Sequence, residues 1–259
     1  MNPSLQDEDE YLIQILGLAK MPMVKPGDSI GDQLVLAAKE ESIHIEDRDI
    51  IVIAQKIVSK AEGNILNLAS IEPSALAETV AKNAGKDPRH VETILREAAS
   101  ILRMQGAHLI VETRHGFVCA NAGVDRSNVG EKDSVALLPV DPDRSARTIR
   151  ERVRELIGAD VGVIISDTFG RAWRNGQMNV AICVAGLEPI MDYRGTQDMF
   201  GNQLNVTQIA IADELASAAE LVMRKRDGVP VAIIKGVKYT RGPGSIKSLI
   251  RPKEEDLFR

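Results

Sequence analysis

The sequence predicts a mixed α+β fold, sheets with flanking helices, and three observations lead there. Apolar runs of strand length and amphipathic helical stretches share the chain without the strict β-α-β order of a doubly wound sheet. No nucleotide-binding glycine loop is present. Gly85-Lys86 lacks the upstream glycine and the following hydroxyl of a phosphate loop, and no GxGxxG opens a helix after a strand. P-loop and Rossmann folds are therefore disfavoured. Finally, the 259 residues are 44% hydrophobic and 27% charged but only 3% aromatic, so the core has to be built mainly from Ile, Val, Leu and Ala.

In chain order, "YLIQILGLAKMPMVKPGDSI" reads as a strand, a loop closed by Pro26-Gly27, and a helix over 31–39. "DIIVIAQKIVSKAEGN" reads as a buried strand running into a polar turn at 60–63. Residues 73–104 are helical in pattern, with a break at "GKDP" that divides them in two. "AHLIVETRHGFVCANAGVD" alternates like a hairpin turning at 114–116. Ile149, Val153, Leu156 and Ile157 mark one face of a helix, and Arg147, Arg150, Arg152 and Arg154 make its solvated face. "VIISDTFGRAWRNGQ" follows: Val163, Ile164 and Ile165 read as a buried strand that Asp167, Thr168 and Gly170 end, leaving an acid and a hydroxyl in a loop at the strand's mouth. The clearest helix is 207–224, with Ala212, Leu215, Ala216, Ala219, Val222 and Met223 on one side. "GVPVAIIKG" supplies a last buried strand before "TRGPGS" and a charged tail. No linker or strong repeat marks a boundary, so residues 1–259 read as one unit.

Charge and leader composition exclude several classes. Lys+Arg of 32 against Asp+Glu of 37 gives a net charge of -5, which argues against a general electrostatic grip on nucleic acid or anionic membrane. The acidic N-terminal stretch is unlike a signal peptide, and no apolar run is long enough to span a bilayer, so a cytoplasmic protein is expected. Cys119 and Cys183 stand alone and read as packed small hydrophobes.

Two acid-bearing stretches share a design. "CANAGVDRSN" and "IISDTFGR" each follow an apolar strand with an aspartate, and Asp125, Asp167 and Thr168 are the oxygen donors that Mg²⁺ or Mn²⁺ takes. The alternative is that such residues only cap their own turns. Lys25 and Lys60 sit beside glycine-bearing turns, where a lysine meets phosphate as a point charge or simply lies on the surface. "DYRGTQDMFGNQLNVTQ" spaces acids and glycines three apart, as suits a tight loop against a polar ligand or a solvated loop.

On "MPMVKPGD", "VSKAEG", "NAGVDRSN", "SDTFGRAWRNGQ", "DYRGTQDMFGNQL" and "AIADELASAAELVM", in that order over about 15–236, the chain resembles the coenzyme F(420):L-glutamate ligase family. The resemblance implies a two-lobed α+β ligase that adds L-glutamate to a carboxylate of the deazaflavin precursor F(420)-0, consuming GTP and passing through an acyl phosphate. It also implies a homodimer, two divalent cations (Mg²⁺ or Mn²⁺) and K⁺. By motif position, Met21, Pro22, Met23, Val24, Gln55, Lys56, Lys60 and Asn128 would contact the nucleotide, and Asp125, Asp167 and Thr168 would be the metal ligands and catalytic centre. Arg171, Arg174 and Gln177 are candidates for an anionic acceptor or glutamate, with a structural part as the equal alternative. The chain departs from the pattern at Cys183, where a glycine is expected, and at "RKRDGVP", where a glycine usually comes first; the second change puts nucleotide contacts over 224–228 in doubt. The nitroreductase-like C-terminal domain of some members is not expected here. The rival readings are a carboxylate-amine ligase for another acceptor or nucleotide, and a non-catalytic regulatory module that binds metal and nucleotide.

Overall fold

The computed structural model describes residues 11–127, 129–130 and 133–258. Strand β1 (Gln14–Leu18) leads through a loop to helix α1 (Ile30–Glu40), whose first turn is capped by the Ser29 side chain accepting from the Asp32 N–H. Strand β2 (Ile50–Ala54) passes directly into α2 (Gln55–Ala61), and β3 (Ile65–Asn67) follows. Helices α3 (Ala75–Ala84) and α4 (Pro88–Glu97) precede β4 (Ala98–Gln105), β5 (His108–Thr113), β6 (Val118–Ala120) and β7 (Ser134–Ala136). Helix α5 (Pro142–Ile157), the hairpin β8 (Gly162–Arg171) and β9 (Arg174–Ala185), β10 (Met191–Asp192), β11 (Gln208–Ile209), α6 (Ile211–Met223) and β12 (Val231–Lys235) complete the order.

The main sheet runs β1-β12-β2-β8-β9; its one parallel pair is β2 with β8, in register Ala54 to Ser166. Ile50 to Ile53 and Val163 to Ile165 have essentially no solvent exposure, so both sheet faces are covered. Helix α6 packs across the sheet, and α5 packs on β8 and β9 with α1 against it. The core is accordingly aliphatic. A separate apolar cluster around Leu68, Ile94, Leu109 and Val111 joins α4 to the β4-β5-β6 sheet. The mixed α+β class holds. Among the described residues no helix is long and apolar enough to cross a membrane.

Five local expectations are corrected. The β8 strand does not stop at Ile165: Asp167 pairs with Val180, Thr168 with Asn179 and Gly170 with Gln177, because β9 supplies a partner that local sequence cannot reveal. Residues 98–105 form β4 instead of continuing a helix, the Ala98 N–H still bonding Ile94 O before the chain extends to pair with β5. The segment after Ala54 is a helix before it is a turn, and α6 starts at Ile211, after β11. On α5, Leu156 and Ile157 are exposed, while Arg150 donates to Val161 O at 2.9 Å and Arg152 clamps Asp32 at 3.0 and 2.8 Å. That arginine face is thus partly a docking surface for neighbouring elements. The Arg114 hairpin turn between β5 and β6 and the buried, unpaired Cys119 and Cys183 are as expected.

Candidate active site

Side chains leaving the ends of a parallel strand pair face outward where the helices diverge, and such ends are where open sheets hold ligands. Here β2 ends at Ala54 beside Ser166 of β8, and a cleft of about 430 Å³ opens there. Gln55, Lys56 and Lys60 enter it from α2; Lys56 and Lys60 are four apart and therefore share a helix face. Met21 to Val24 wall it from the loop after β1, and Lys225, Arg226 and Pro230 from the segment after α6.

Asp125 reaches the same place by a different route. Residues 121, 122 and 123 are all left-handed, with φ of 56°, 55° and 70°. At Gly123 this is required, since a Cβ would lie 2.8–2.9 Å from the Leu138 side chain. The turn is held by Lys86 Nζ donating to Asn121 Oδ1. Backbone bonds then join Asp125 to Ala136 in both directions, at 3.1 and 2.8 Å. The Asp125 carboxylate accepts from Ser127 N–H at 2.7 Å and pairs with Lys56 Nζ at 2.7 Å. Burial alone would raise its pKa; the Lys56 and Ser127 hydrogen bonds outweigh it and leave the carboxyl below its ordinary value.

Asp167 is the opposite case. Burial, reinforced by the Asp125 charge, pushes its carboxyl up to about 6, although the Thr168 N–H, Lys56 and Lys225 all favour the anion. A half-buried carboxylate facing a second one has a charge that a cation would relieve. Lys60 is shifted down, first by burial and then by Lys56. Two further polar atoms are buried without a hydrogen-bond partner: Gln55 Nε2 and Ser166 Oγ, both on residues that line the cleft.

Thr168 sits in a directional chain. Lys225 Nζ donates to Thr168 Oγ1, Thr168 Oγ1 donates to Asn179 Oδ1 at 2.7 Å, and Asn179 Nδ2 donates to Glu220 Oε2 at 2.8 Å. Asn179, Glu220, Ser166 and Lys225 were not singled out from sequence. A polar Asn179 inside the apolar strand "NVAICVA" and Glu220 on the inward side of α6 were the available signals.

Most of the sequence-predicted residues therefore converge: Met21, Pro22, Met23, Val24, Gln55, Lys56, Lys60, Asp167 and Thr168 line the cleft, and Asp125 is tied to it through Lys56. Asn128 lies outside the described residues. Lys25 is exposed and does not line the cleft. Arg171, Arg174 and Gln177 are exposed on the far part of the β8/β9 hairpin, where Arg171 donates to Asn175 O at 2.8 Å. The acids of 192–208 serve their own loop: Asp198 accepts from Phe200 N–H and Asn202 N–H at 2.9 and 2.8 Å, and Asp192 pairs with Arg194.

The donor set at Asp125 and Asp167, two carboxylates with hydroxyls beside them, suits a hard divalent cation. Among the described residues no cluster of three His, Cys, Asp or Glu side chains supplies a metal centre by protein alone, so water and ligand oxygens would complete the shell.

Residues 19–236 match the family model described as F420-0:Gamma-glutamyl ligase. The chain is 49% identical over 251 residues to the coenzyme F420:L-glutamate ligase of Methanothermobacter thermautotrophicus, covering 95% of this chain and 99% of that protein. It is 48% identical over 241 residues to the ligase of the same name from Methanopyrus kandleri, covering 91% and 93%. The Archaeoglobus fulgidus protein of that name is 37% identical over 248 residues, covering 95% and 96%.

Proposed function

The chain belongs to the F420-0:gamma-glutamyl ligase family and is a ligase, and we propose that it joins L-glutamate through its amine to a carboxylate of F(420)-0, driven by GTP. The observation that carries this reading is the cleft itself, where two carboxylates of unlike pKa and the ammonium groups of Lys56 and Lys60 meet beside a cavity large enough for a nucleotide.

In this reading an acceptor carboxylate oxygen attacks the γ-phosphorus of GTP, the bond to the β-phosphate oxygen breaks, and GDP leaves. The resulting acyl phosphate is opened by the glutamate amine, which forms the amide, gives up a proton and releases phosphate. No covalent protein nucleophile is needed, and phosphoryl transfer depends mainly on positioning and charge neutralisation. Asp125 and Asp167 would hold a divalent cation, Mg²⁺ or Mn²⁺, which supplies charge to the transferring phosphoryl group. Lys56 and Lys60 bind phosphate oxygens as point charges. Lys56, now paired with Asp125, would exchange that carboxylate for phosphate. The orphaned Gln55 Nε2 and Ser166 Oγ recover hydrogen bonds when a polar ligand arrives. Met21 to Val24 give the base an apolar wall. The functional unit in this reading is a homodimer.

Phosphate release is the test. It should require GTP, glutamate and F(420)-0 together, and ATP should not replace GTP. Release without acceptor or glutamate would overturn the ligase coupling, and equal rates with ATP would overturn the nucleotide assignment.

A further inference from the structure

Asp125 and Asp167 rest on different supports. Asp167 is fixed by strand pairing within the main sheet. Asp125 follows a turn in which residues 121, 122 and 123 are all left-handed, and two of the three, Asn121 and Ala122, carry a Cβ. An asparagine tolerates that conformation singly and an alanine does not, so such a turn keeps its shape only where its surroundings over-determine it.

Those surroundings are the corner between α3 and α4. Gly85 ends α3 in the left-handed region, and Asp87 caps α4, its side chain accepting from the Arg89 N–H at 2.9 Å, with Pro88 in the first turn. Lys86 lies between the two caps, and its own N–H bonds Ala81 O at 3.0 Å. From that fixed backbone, Lys86 Nζ donates to Asn121 Oδ1 at 2.5 Å. One turn further along, His90 is 9% exposed and hydrogen-bonds the Val124 backbone. Its Nε2 is buried without a partner, so the Val124 bond is what orients the ring. Helix α4 also packs directly on residues 121–123, and Ile94 shares an apolar cluster with Ala122 and Val124. The turn is thus held at its start through Asn121 and at its end through Val124, the residue before Asp125.

We propose that Lys86 and His90 are positioning residues: the α3/α4 corner sets where the Asp125 carboxylate stands, and so how tightly the cleft holds a divalent cation. Neither side chain lines the cleft, so both act through the turn. Partners behind a metal ligand govern affinity in this way, by orienting the ligand itself. The inference rests on the metal part of the functional reading above.

The test combines a Mn²⁺ titration, followed by the electron paramagnetic resonance of the free ion with a non-hydrolysable GTP analogue at saturation, and amide hydrogen exchange of the metal-free protein. Lys86→Met keeps the side-chain length and removes the donor. It should weaken Mn²⁺ binding by about tenfold or more and speed exchange at the Asp125 and Ala136 amides, which bond each other's carbonyls. Lys86→Arg should keep the wild-type affinity, and His90→Leu should weaken binding as Lys86→Met does. The discriminating variant joins Lys86→Met to Asn121→Gly. Glycine takes the left-handed conformation without penalty, so Mn²⁺ affinity should return towards wild type, whereas a general loss of packing at the corner would not be rescued there. Unchanged affinity in Lys86→Met or in His90→Leu overturns the role of that residue, and a loss in Lys86→Met that Asn121→Gly does not reduce overturns the role of the turn; both leave the functional reading standing. Should Lys86→Met not fold, His90→Leu decides, and unchanged Mn²⁺ affinity there overturns the proposal. A wild type that takes up no Mn²⁺ overturns the metal reading and the inference with it.

Discussion

Replacing Asp167 by asparagine is predicted to move stability and activity in opposite directions. The substitution keeps the shape and removes the charge. In the metal-free protein, burial raises this carboxyl from 3.8 to about 6, so the folded state holds a proton that the unfolded chain has already released. A folded pKa above the unfolded one means that the favourable contribution is complete below about 3.8 and is lost as pH rises through 6. At pH 8 the ionised Asp167 therefore destabilises the apo fold, by at most ~3 kcal/mol for a shift of about two units. Asp167→Asn should raise the apo melting temperature at pH 8 by roughly 5–10 °C at that limit. The gain should shrink towards pH 5, where wild-type Asp167 is largely protonated. Turnover should fall by ~10² or more, about 3 kcal/mol of lost transition-state stabilisation, with partial rescue by excess Mn²⁺. Differential scanning calorimetry in chelator at both pH values and glutamate addition at limiting Mn²⁺ are the two assays. An Asp167→Asn protein less stable than wild type at pH 8 in chelator, or one with near-normal glutamate addition, would refute the reasoning.

Three other outcomes follow from the same geometry. GTP at 100 times its dissociation constant should stabilise the fold by ~2.7 kcal/mol in Mn²⁺; an equal rise in melting temperature in chelator would count against the metal. Gly123→Ala places a methyl against Leu138 at a φ of 70°, so it should cost roughly 2–4 kcal/mol and weaken Mn²⁺ binding through the Asp125 turn, measured by denaturant titration and Mn²⁺ titration. Unchanged stability would show that the turn relaxes freely. Light scattering at micromolar concentration should give a dimer mass, and a monomer mass would contradict the homodimer.

What sequence could and could not reveal follows from the range of the interactions involved. Strands β2 and β12 are continuous apolar runs, and α1 and α6 carry one-sided apolar patterns, so local periodicity was sufficient to find them. Asp125 and Asp167 stood out as acids at the ends of apolar segments, and the fold brings Asp167 into the cleft and ties Asp125 to it through Lys56. The continuation of β8 through Asp167 to Arg171 was hidden, because its pairing with β9 turns at 172–173 and satisfies polar residues that look like a loop. Residues 98–105, "AASILRMQ", have good helix formers but were claimed by pairing with β5, a tertiary preference overriding local propensity. Asn179 on β9 is remote in sequence from Glu220 and Lys225 at and just after the end of α6, so nothing in its local sequence announces that it meets them.

The most direct measurement of the central claim is a mass spectrum of F(420)-0 after incubation with the protein, GTP, L-glutamate and Mn²⁺. The acceptor should gain mass in whole glutamyl units, with GDP and phosphate formed in equal amount to the amide bonds made. An acceptor of unchanged mass beside hydrolysed GTP, or a mass gain that proceeds without GTP, would contradict it.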